Sequence, residues 1–262
     1  MYPVQDSEKW FEIPVVATNI CDYDRSFGVE VDDKASNAIE KKQYVVESNT
    51  VTIKAGERVA KFRMKGVYEN IGKTDSLSVT FNLLAKDENI WDLYGTRTRV
   101  QMQKACPFEL STFEGYCLLT SSFFSAYMTN TEHRLLQAER DKAEDNTIIL
   151  HDFFYKNYDL KIKYDPSDPL KPFVEFDEQI IGSTAEAFGT IYGNGKLMCD
   201  QPVAYDSYYN VCQKFVILYT TIYVVGKGTV GTYVNILEWI SDEEAEQYKN
   251  CLLYTSPSPR DR

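Results

Sequence analysis

In three runs between Ala60 and Gln103 apolar and polar side chains alternate with a period of two, and that period constrains the fold more than any other feature of the chain. Leu77, Val79, Phe81 and Leu83 alternate with Ser78, Thr80 and Asn82; Ala60, Phe62 and Met64 alternate with Lys61, Arg63 and Lys65; Val100 and Met102 alternate with Arg99, Gln101 and Gln103. In an extended chain successive side chains point to opposite faces, so each run is a strand with one buried and one solvated face. Strands of that kind belong to antiparallel sheets, because parallel sheets are covered on both faces and read as continuous apolar runs. Strands near 9–17, 25–32, 50–54, 58–65, 77–84 and 97–104 supply most of the roughly seven strands of a sandwich, and the remaining one is expected ahead of Met1. Ala55-Gly56-Glu57 is a turn between two of them, with the glycine supplying the permissive backbone.

The pattern changes near Lys104. Pro107 lacks the N–H that a ladder needs and marks a boundary in Ala105-Cys-Pro-Phe-Glu. A second region opens with Phe113-Glu-Gly-Tyr116, and strand-like runs follow at 147–154, 158–164, 173–181, 188–192, 214–225 and 229–240. Turns rich in Gly, Pro, Asn and Asp separate them, as in Asp165-Pro-Ser-Asp-Pro and Gly193-Asn-Gly195. Residues 131–143 have the Leu, Gln, Ala, Glu, Arg and Lys of a helix. They are expected to form a strand against that propensity, turning at Asp141–Asp145 into the next. Ser241 followed by Glu244 is a capping box, and a short helix to Asn250 is expected.

The segment from Asp22 to Lys65, with Asp-Tyr-Asp-Arg-Ser-Phe-Gly-Val-Glu-Val and then Thr50-Val-Thr-Ile-Lys-Ala-Gly-Glu-Arg-Val-Ala-Lys-Phe-Arg-Met-Lys65, resembles the Calx-beta-like, immunoglobulin-type domain that opens many Bacteroides-type surface lipoproteins of unknown function. The later strands, with Asn146-Thr-Ile-Ile-Leu-His-Asp-Phe, resemble the calycin-like barrels at the C-termini of the same proteins. The resemblance implies an all-β chain: an immunoglobulin-like antiparallel sandwich over 1–105, its first strand missing, then a calycin-like antiparallel barrel with a short helix over 106–250. Residues 251–262, Cys251-Leu-Leu-Tyr-Thr-Ser-Pro-Ser-Pro-Arg-Asp261 and Arg262, resemble the translation of a sequencing adapter on a metagenomic fragment and are expected to be disordered.

Composition agrees with a packed β protein. Hydrophobic residues make up 44% and aromatics 14%, and 19 Tyr and 14 Phe against 5 Met favour strands. A net charge of −11 opposes nucleic-acid binding, which needs a basic face. Met1-Tyr-Pro-Val begins no secretory signal, and no run approaches the roughly 20 apolar residues of a membrane span. Export, if it occurs, depends on a leader outside this sequence, and membrane association on a lipid anchor likewise outside it. Cys21, Cys106, Cys117, Cys199 and Cys212 lack zinc-site spacing and are expected to be buried thiols, with a Cys199–Cys212 pair as the alternative.

The chemistry-bearing motifs are thin. Gly226-Lys-Gly-Thr-Val-Gly231 has dinucleotide-fingerprint spacing but leads into a strand, so it reads as a hairpin turn. Gly195-Lys196 lacks the remainder of a phosphate loop. Asp22-Tyr-Asp24 invites calcium, yet too few oxygen ligands accompany it, so Asp24 or Arg25 is read as pairing across a strand start. His133 and His151 are the two histidines; neither lies in a nucleophile or metalloprotease motif, and His151 is read as a partner of Asp152 or solvent. No carboxylate pair can be chosen from 39 acidic residues. Tyr205, Tyr208 and Tyr209, in Ala204-Tyr-Asp-Ser-Tyr-Tyr-Asn210, form an aromatic cluster suited to stacking on sugar rings; the competing reading is that they fill the barrel mouth or a domain interface.

The thin motifs lead to the expectation of a non-catalytic protein, and the resemblance to surface lipoproteins implies an exported one of the outer membrane, cell surface or periplasm, accessory to glycan or nutrient capture. Tyr205, Tyr208 and Tyr209 are its ligand-binding candidates, without metal or cofactor. Its partners would be glycans or other surface proteins, and not nucleic acid. The alternatives are a carbohydrate hydrolase and a carrier of a small apolar ligand inside the barrel.

Overall fold

The inward rings Phe62 and Phe81 meet edge-on at 4.9 Å, where two sheets of the first half close on each other. The computed structural model describes residues 1–86, 95–128, 131–169 and 171–255, without the side chains of 251–255. It separates into two units, Met1–Pro107 and Phe108–Arg262.

In the first unit, β1 (Tyr2–Val4), β2 (Phe11–Val16), β3 (Arg25–Val31), β4 (Tyr44–Val46), β5 (Thr50–Ile53), β6 (Val59–Gly66), β7 (Leu77–Leu84) and β8 (Arg97–Lys104) form two sheets. One has the order β1-β8-β7-β3-β5 and the other β2-β6-β4. The alternating residues do as their period requires: Phe62 and Met64 from one sheet pack with Val79, Phe81, Val100 and Met102 from the other. Each such side chain removed from water contributes about 1.5–3 kcal/mol.

Two features depart from the sequence reading. The pairing is not wholly antiparallel, since Tyr2–Val4 runs parallel to β8 with Tyr2 opposite Met102. The seat beside β8 is thus filled from within the chain. Ser78 and Thr80 were expected on a solvated face but are buried, because the segment Asp32–Ala38 crosses that face and hydrogen-bonds to both.

The second unit contains β9 (Gly115–Ser121), α1 (Ser122–Tyr127), β10 (His133–Arg140), β11 (Thr147–Leu150), β12 (Leu160–Asp165), β13 (Phe173–Glu175), β14 (Gln179–Ser183), α2 (Thr184–Phe188), β15 (Lys196–Asp200), β16 (Tyr208–Asn210), β17 (Phe215–Val224), β18 (Gly228–Trp239) and α3 (Asp242–Thr255). The ring β9-β10-β11-β12-β13-β16-β17-β18 closes on itself through β18–β9, giving an eight-stranded barrel. The chain is therefore all-β, with open sheets and a closed barrel.

Two wall positions are interrupted strands. β16 covers the first part of β17, from Phe215 to Ile217, and β15 takes over at Thr221–Tyr223. Likewise β13 pairs with Lys163–Asp165, while β14 approaches the start of β12 through Gln179. Inside, rings fill the barrel from both ends. Phe113 stacks on Tyr164 at 4.6 Å and meets Trp239 at 5.1 Å; towards the other end Phe123 of α1 stacks on Phe154 at 4.7 Å.

Residues 133–140 are a strand despite their helical composition, because β9 and β11 offer pairing on both edges and Leu136 and Ala138 bury inward. Residues 188–192 are not a strand. Ser183 and Glu186 form a full capping box that starts α2 instead, and Gly189 ends it in the left-handed conformation at φ 72°. The box at Ser241 and Glu244 forms as expected, but α3 continues past Asn250 to Thr255. The remaining expectation for the tail, over 256–262, lies outside the described residues.

Cys21, Cys117 and Cys199 are free, whereas Cys106 and Cys212 are disulfide-bonded. The reading of free thiols throughout fails for those two, and Cys199 is not the partner of Cys212. Among the described residues no helix is long and apolar enough to cross a membrane.

Candidate functional site

The longest alternation in the barrel lies on β17. Val216, Leu218, Thr220, Ile222 and Val224 are buried, which turns Phe215, Ile217, Tyr219, Thr221 and Tyr223 onto the outer wall. The wall is broken beside it: residues 201–207 leave the sheet between β15 and β16, and Val203 and Tyr205 project from this excursion. The excursion is anchored at its end by buried Ser207, whose Oγ accepts from Tyr219 N–H at 3.0 Å and whose carbonyl accepts from Val174 N–H.

That anchoring lays Tyr205 over Tyr219, with ring centroids 5.1 Å apart and planes 20° from parallel. Tyr205 stays 53% exposed, so one ring face is held while the rest meets solvent. Tyr208 opposes Ile217 on the same outer face and meets Phe215 edge-on at 6.3 Å. The result is an apolar platform in which Tyr208, Phe215 and Tyr219 stand on strands and Tyr205 is laid over them from the excursion; Asp200, opposite Thr221, and Asp206, next to Tyr205 in the chain, are exposed. A little further along β17, the Tyr223 hydroxyl donates to Glu178, and that hydrogen bond, with burial and the carboxylate charge behind it, pushes the Tyr223 pKa up to about 12.

Tyr209 does not belong to the platform. Adjacent strand residues face opposite ways, and Tyr209 points inward, 3% exposed, against Tyr164 at 5.1 Å and Phe108 at 5.4 Å. Burial pushes its hydroxyl up to about 12. The cluster thus splits: Tyr205 and Tyr208 lie outside, and Tyr209 takes the barrel-filling role. Tyr219 and Phe215 complete the wall and were missed. Their signal was available, because β17 carries aromatics on one phase and mainly aliphatics on the other.

The remaining sequence candidates have structural partners. Asp24 pairs with Lys54 at 2.8 Å and accepts from Ala55 N–H at 2.9 Å, pinning the start of β3 to the end of β5. Among the described residues no group of three or more His, Cys, Asp or Glu side chains is placed to hold a metal. His133 shares a hydrogen bond with Thr120 at 2.7 Å. His151 lies between Asp159, 2.9 Å from Nδ1, and Glu139, 3.5 Å from Nε2, and not against the Asp152 carboxylate. Asp152 instead accepts from Asn157 N–H and shapes the turn. The Gly226–Gly231 segment comprises the β17–β18 hairpin turn and the first residues of β18.

Residues 93–251, more than half of the chain, match the family described as Domain of unknown function (DUF4984). The chain belongs to this family. The DUF4984 match takes in β8 and the whole barrel, and so contains the aromatic wall. None of the curated proteins matches the chain. Among solved structures, this DUF4984 chain is similar to a protein of unknown function from Bacteroides ovatus, at 10% identity over 88% of this chain and 81% of that one, with a TM-score of 0.34. It is also similar to an auxiliary nutrient binding protein from Bacteroides thetaiotaomicron, at 11% identity over 88% and 82%, with a TM-score of 0.28. A further Bacteroides ovatus protein of unknown function matches at 7% identity over 90% of each chain, with a TM-score of 0.30. Similarity this distant carries no ligand over to the DUF4984 chain.

Proposed function

We propose that the protein is an exported, non-catalytic accessory protein that holds carbohydrate against the outer wall of its barrel. The observation that carries this reading is the Tyr205–Tyr219 stack, exposed and held in place, with Tyr208 on the same face. Sugar rings present apolar C–H faces and polar rims. An aromatic platform takes the faces, and the carboxylates of Asp200 and Asp206 can accept from the hydroxyls. Pre-organisation matters because a ring already held against its neighbour loses little freedom when ligand arrives.

Two further features support the reading. Disulfide-bonded Cys106 and Cys212 fit an oxidising compartment, as an exported protein meets. The barrel interior is occupied by its own rings, which speaks for binding on the wall and against a carrier of an apolar molecule. A lipid anchor outside this sequence would place the protein at the outer membrane or cell surface.

The test is a glycan-array screen of the full chain, followed by titration of the strongest ligand into the parent and the Tyr205→Ala/Tyr208→Ala variant. Two lost stacking contacts of about 0.5–1.5 kcal/mol each lower affinity roughly 5- to 150-fold. Unchanged circular dichroism is expected, since both rings are exposed. Normal binding by the folded variant overturns the platform. Release of reducing sugar from a polysaccharide by the parent overturns the non-catalytic reading.

A further inference from the structure

In the first unit, one outer sheet face is covered by a strap instead of water. Asn37 and Ala38 N–H groups both donate to the Ser78 carbonyl at 3.0 and 3.1 Å, and Asp32 N–H donates to the Thr80 carbonyl at 2.9 Å. Ser36 Oγ accepts from Thr80 N–H at 2.9 Å. Asp32 also caps the single turn at Asp33–Ala35. The strap is therefore fixed along its length, and Ser78 and Thr80 become a floor only 4% and 1% exposed.

Beside the strap, β8 turns Arg97 and Arg99 outward. Together with Lys34 of the strap they border a cleft of about 660 Å³ over that floor. Ligand sites commonly run to roughly 300–1,000 Å³, so the space suits a small molecule and exceeds what a bare ion needs.

The charges in this cleft are unevenly matched. Arg97 is paired with Asp32 at 2.8 Å. Arg99 donates to the neutral Ser78 Oγ at 3.0 Å, which aims its guanidinium without neutralising it. Among the described residues neither Arg99 nor Lys34 has an ion-pair partner. Two uncompensated cations thus face one concavity in a chain of net charge −11. A concave wall of one sign concentrates its potential, and a fixed guanidinium fork matches the two oxygens of a carboxylate or sulfate.

We infer that the cleft between the Asp32–Ala38 strap and β8 binds a small organic oxyanion, a carboxylate or a sulfate ester, through Arg99 and Lys34. Arg97, tied to Asp32, supports the wall. The inference is independent of the aromatic wall, which lies on the other unit.

Titration calorimetry on the full chain tests it with three probes: a galacturonate disaccharide, a sulfated disaccharide and inorganic sulfate. The first two distinguish the carboxylate from the sulfate source. One of the disaccharides is expected to bind, more weakly as salt rises. Arg99→Gln and Lys34→Gln should each weaken binding roughly tenfold, about 1.4 kcal/mol. Arg99→Lys, which keeps charge but loses the fork, should fall between parent and Arg99→Gln. Tyr205→Ala should leave this binding unchanged, so failure here and failure of the wall platform are separable. The inference is overturned if neither disaccharide binds, if only inorganic sulfate binds, or if the folded double variant Lys34→Gln/Arg99→Gln binds as the parent does.

Discussion

Gln179 joins two barrel strands that share no backbone ladder at that level. Lys161 N–H donates to Gln179 Oε1 at 2.8 Å, and Gln179 Nε2 donates back to the Lys161 carbonyl at 2.9 Å. The side-chain amide thereby reproduces the two bonds that a paired strand residue would make to β12. Gln179→Ala removes both. At about 0.5–1.5 kcal/mol net for each bond, the loss is about 1–3 kcal/mol. Lys161 is exposed, so water can reach its freed N–H and carbonyl, and the expected loss is in the lower half of that range. For a unit of this size that corresponds to a fall of roughly 2–8 °C in Tm. Gln179→Glu keeps an acceptor for Lys161 N–H but loses the donor, and should fall between parent and alanine. Urea denaturation measures the loss, and amide exchange locates it: Lys161 N–H should exchange faster in the alanine variant. If Gln179→Ala is as stable as the parent and the Lys161 amide is equally protected, β13 and β16 close the wall by themselves and the surrogate-pair argument is wrong.

Asn235 is fully buried, donates to the Leu218 carbonyl and Thr220 Oγ1 at 2.9 and 3.0 Å, and accepts from Ser121 Oγ at 2.6 Å. Asn235→Ala strands those partners and should cost about 2–4 kcal/mol in urea denaturation; a loss near zero would mean the network is dispensable. Tyr209→Ala should cost about 3–5 kcal/mol, whereas Tyr205→Ala should stay within about 0.5 kcal/mol, a contrast that parallel thermal melts check. For His151, burial lowers the pKa, but the hydrogen bonds and charges of Asp159 and then Glu139 outweigh it, and the net direction is up. Its contribution to stability is full below the unfolded value near about 6.5 and is lost as pH rises through the higher folded value. The stability gap between parent and His151→Gln should therefore be wider at about pH 5.5 than at about pH 8.5; a gap independent of pH would contradict the ion-pair assignment.

The parts of the fold that follow from local periodicity were legible, and the parts that depend on a distant segment were not. The inward sets on β6, β7 and β8 could be named in advance because one face of each strand is polar. Residues 133–140 were legible only against their composition, because two neighbouring edges supply the ladder that decides between helix and strand. The Ser183–Glu186 box was readable but lay inside a run with strand composition, so α2 was missed. Burial of Ser78 and Thr80 had no local signal, since the Asp32–Ala38 strap that covers them lies some forty residues earlier.

Tyr208 and Tyr209 show where periodicity stops being sufficient. Their adjacency in a strand requires that they face opposite ways, but either could have been the outward one. A one-residue slip would bury Tyr208 and expose Tyr209. The choice is made from outside the strand. Phe108, Phe113 and Tyr164 converge on one end of the barrel and leave a place for a large ring, which Tyr209 occupies. That registration sends Tyr208 outward over Ile217. Ser207, one position earlier and therefore inward, can then accept from Tyr219 N–H and hold the 201–207 excursion against the wall. The exposed Tyr205–Tyr219 stack is thus a consequence of how the barrel end is filled. Altering the inward ring set should disturb the outer platform through inward Ser207, whose bond to Tyr219 N–H links the two faces.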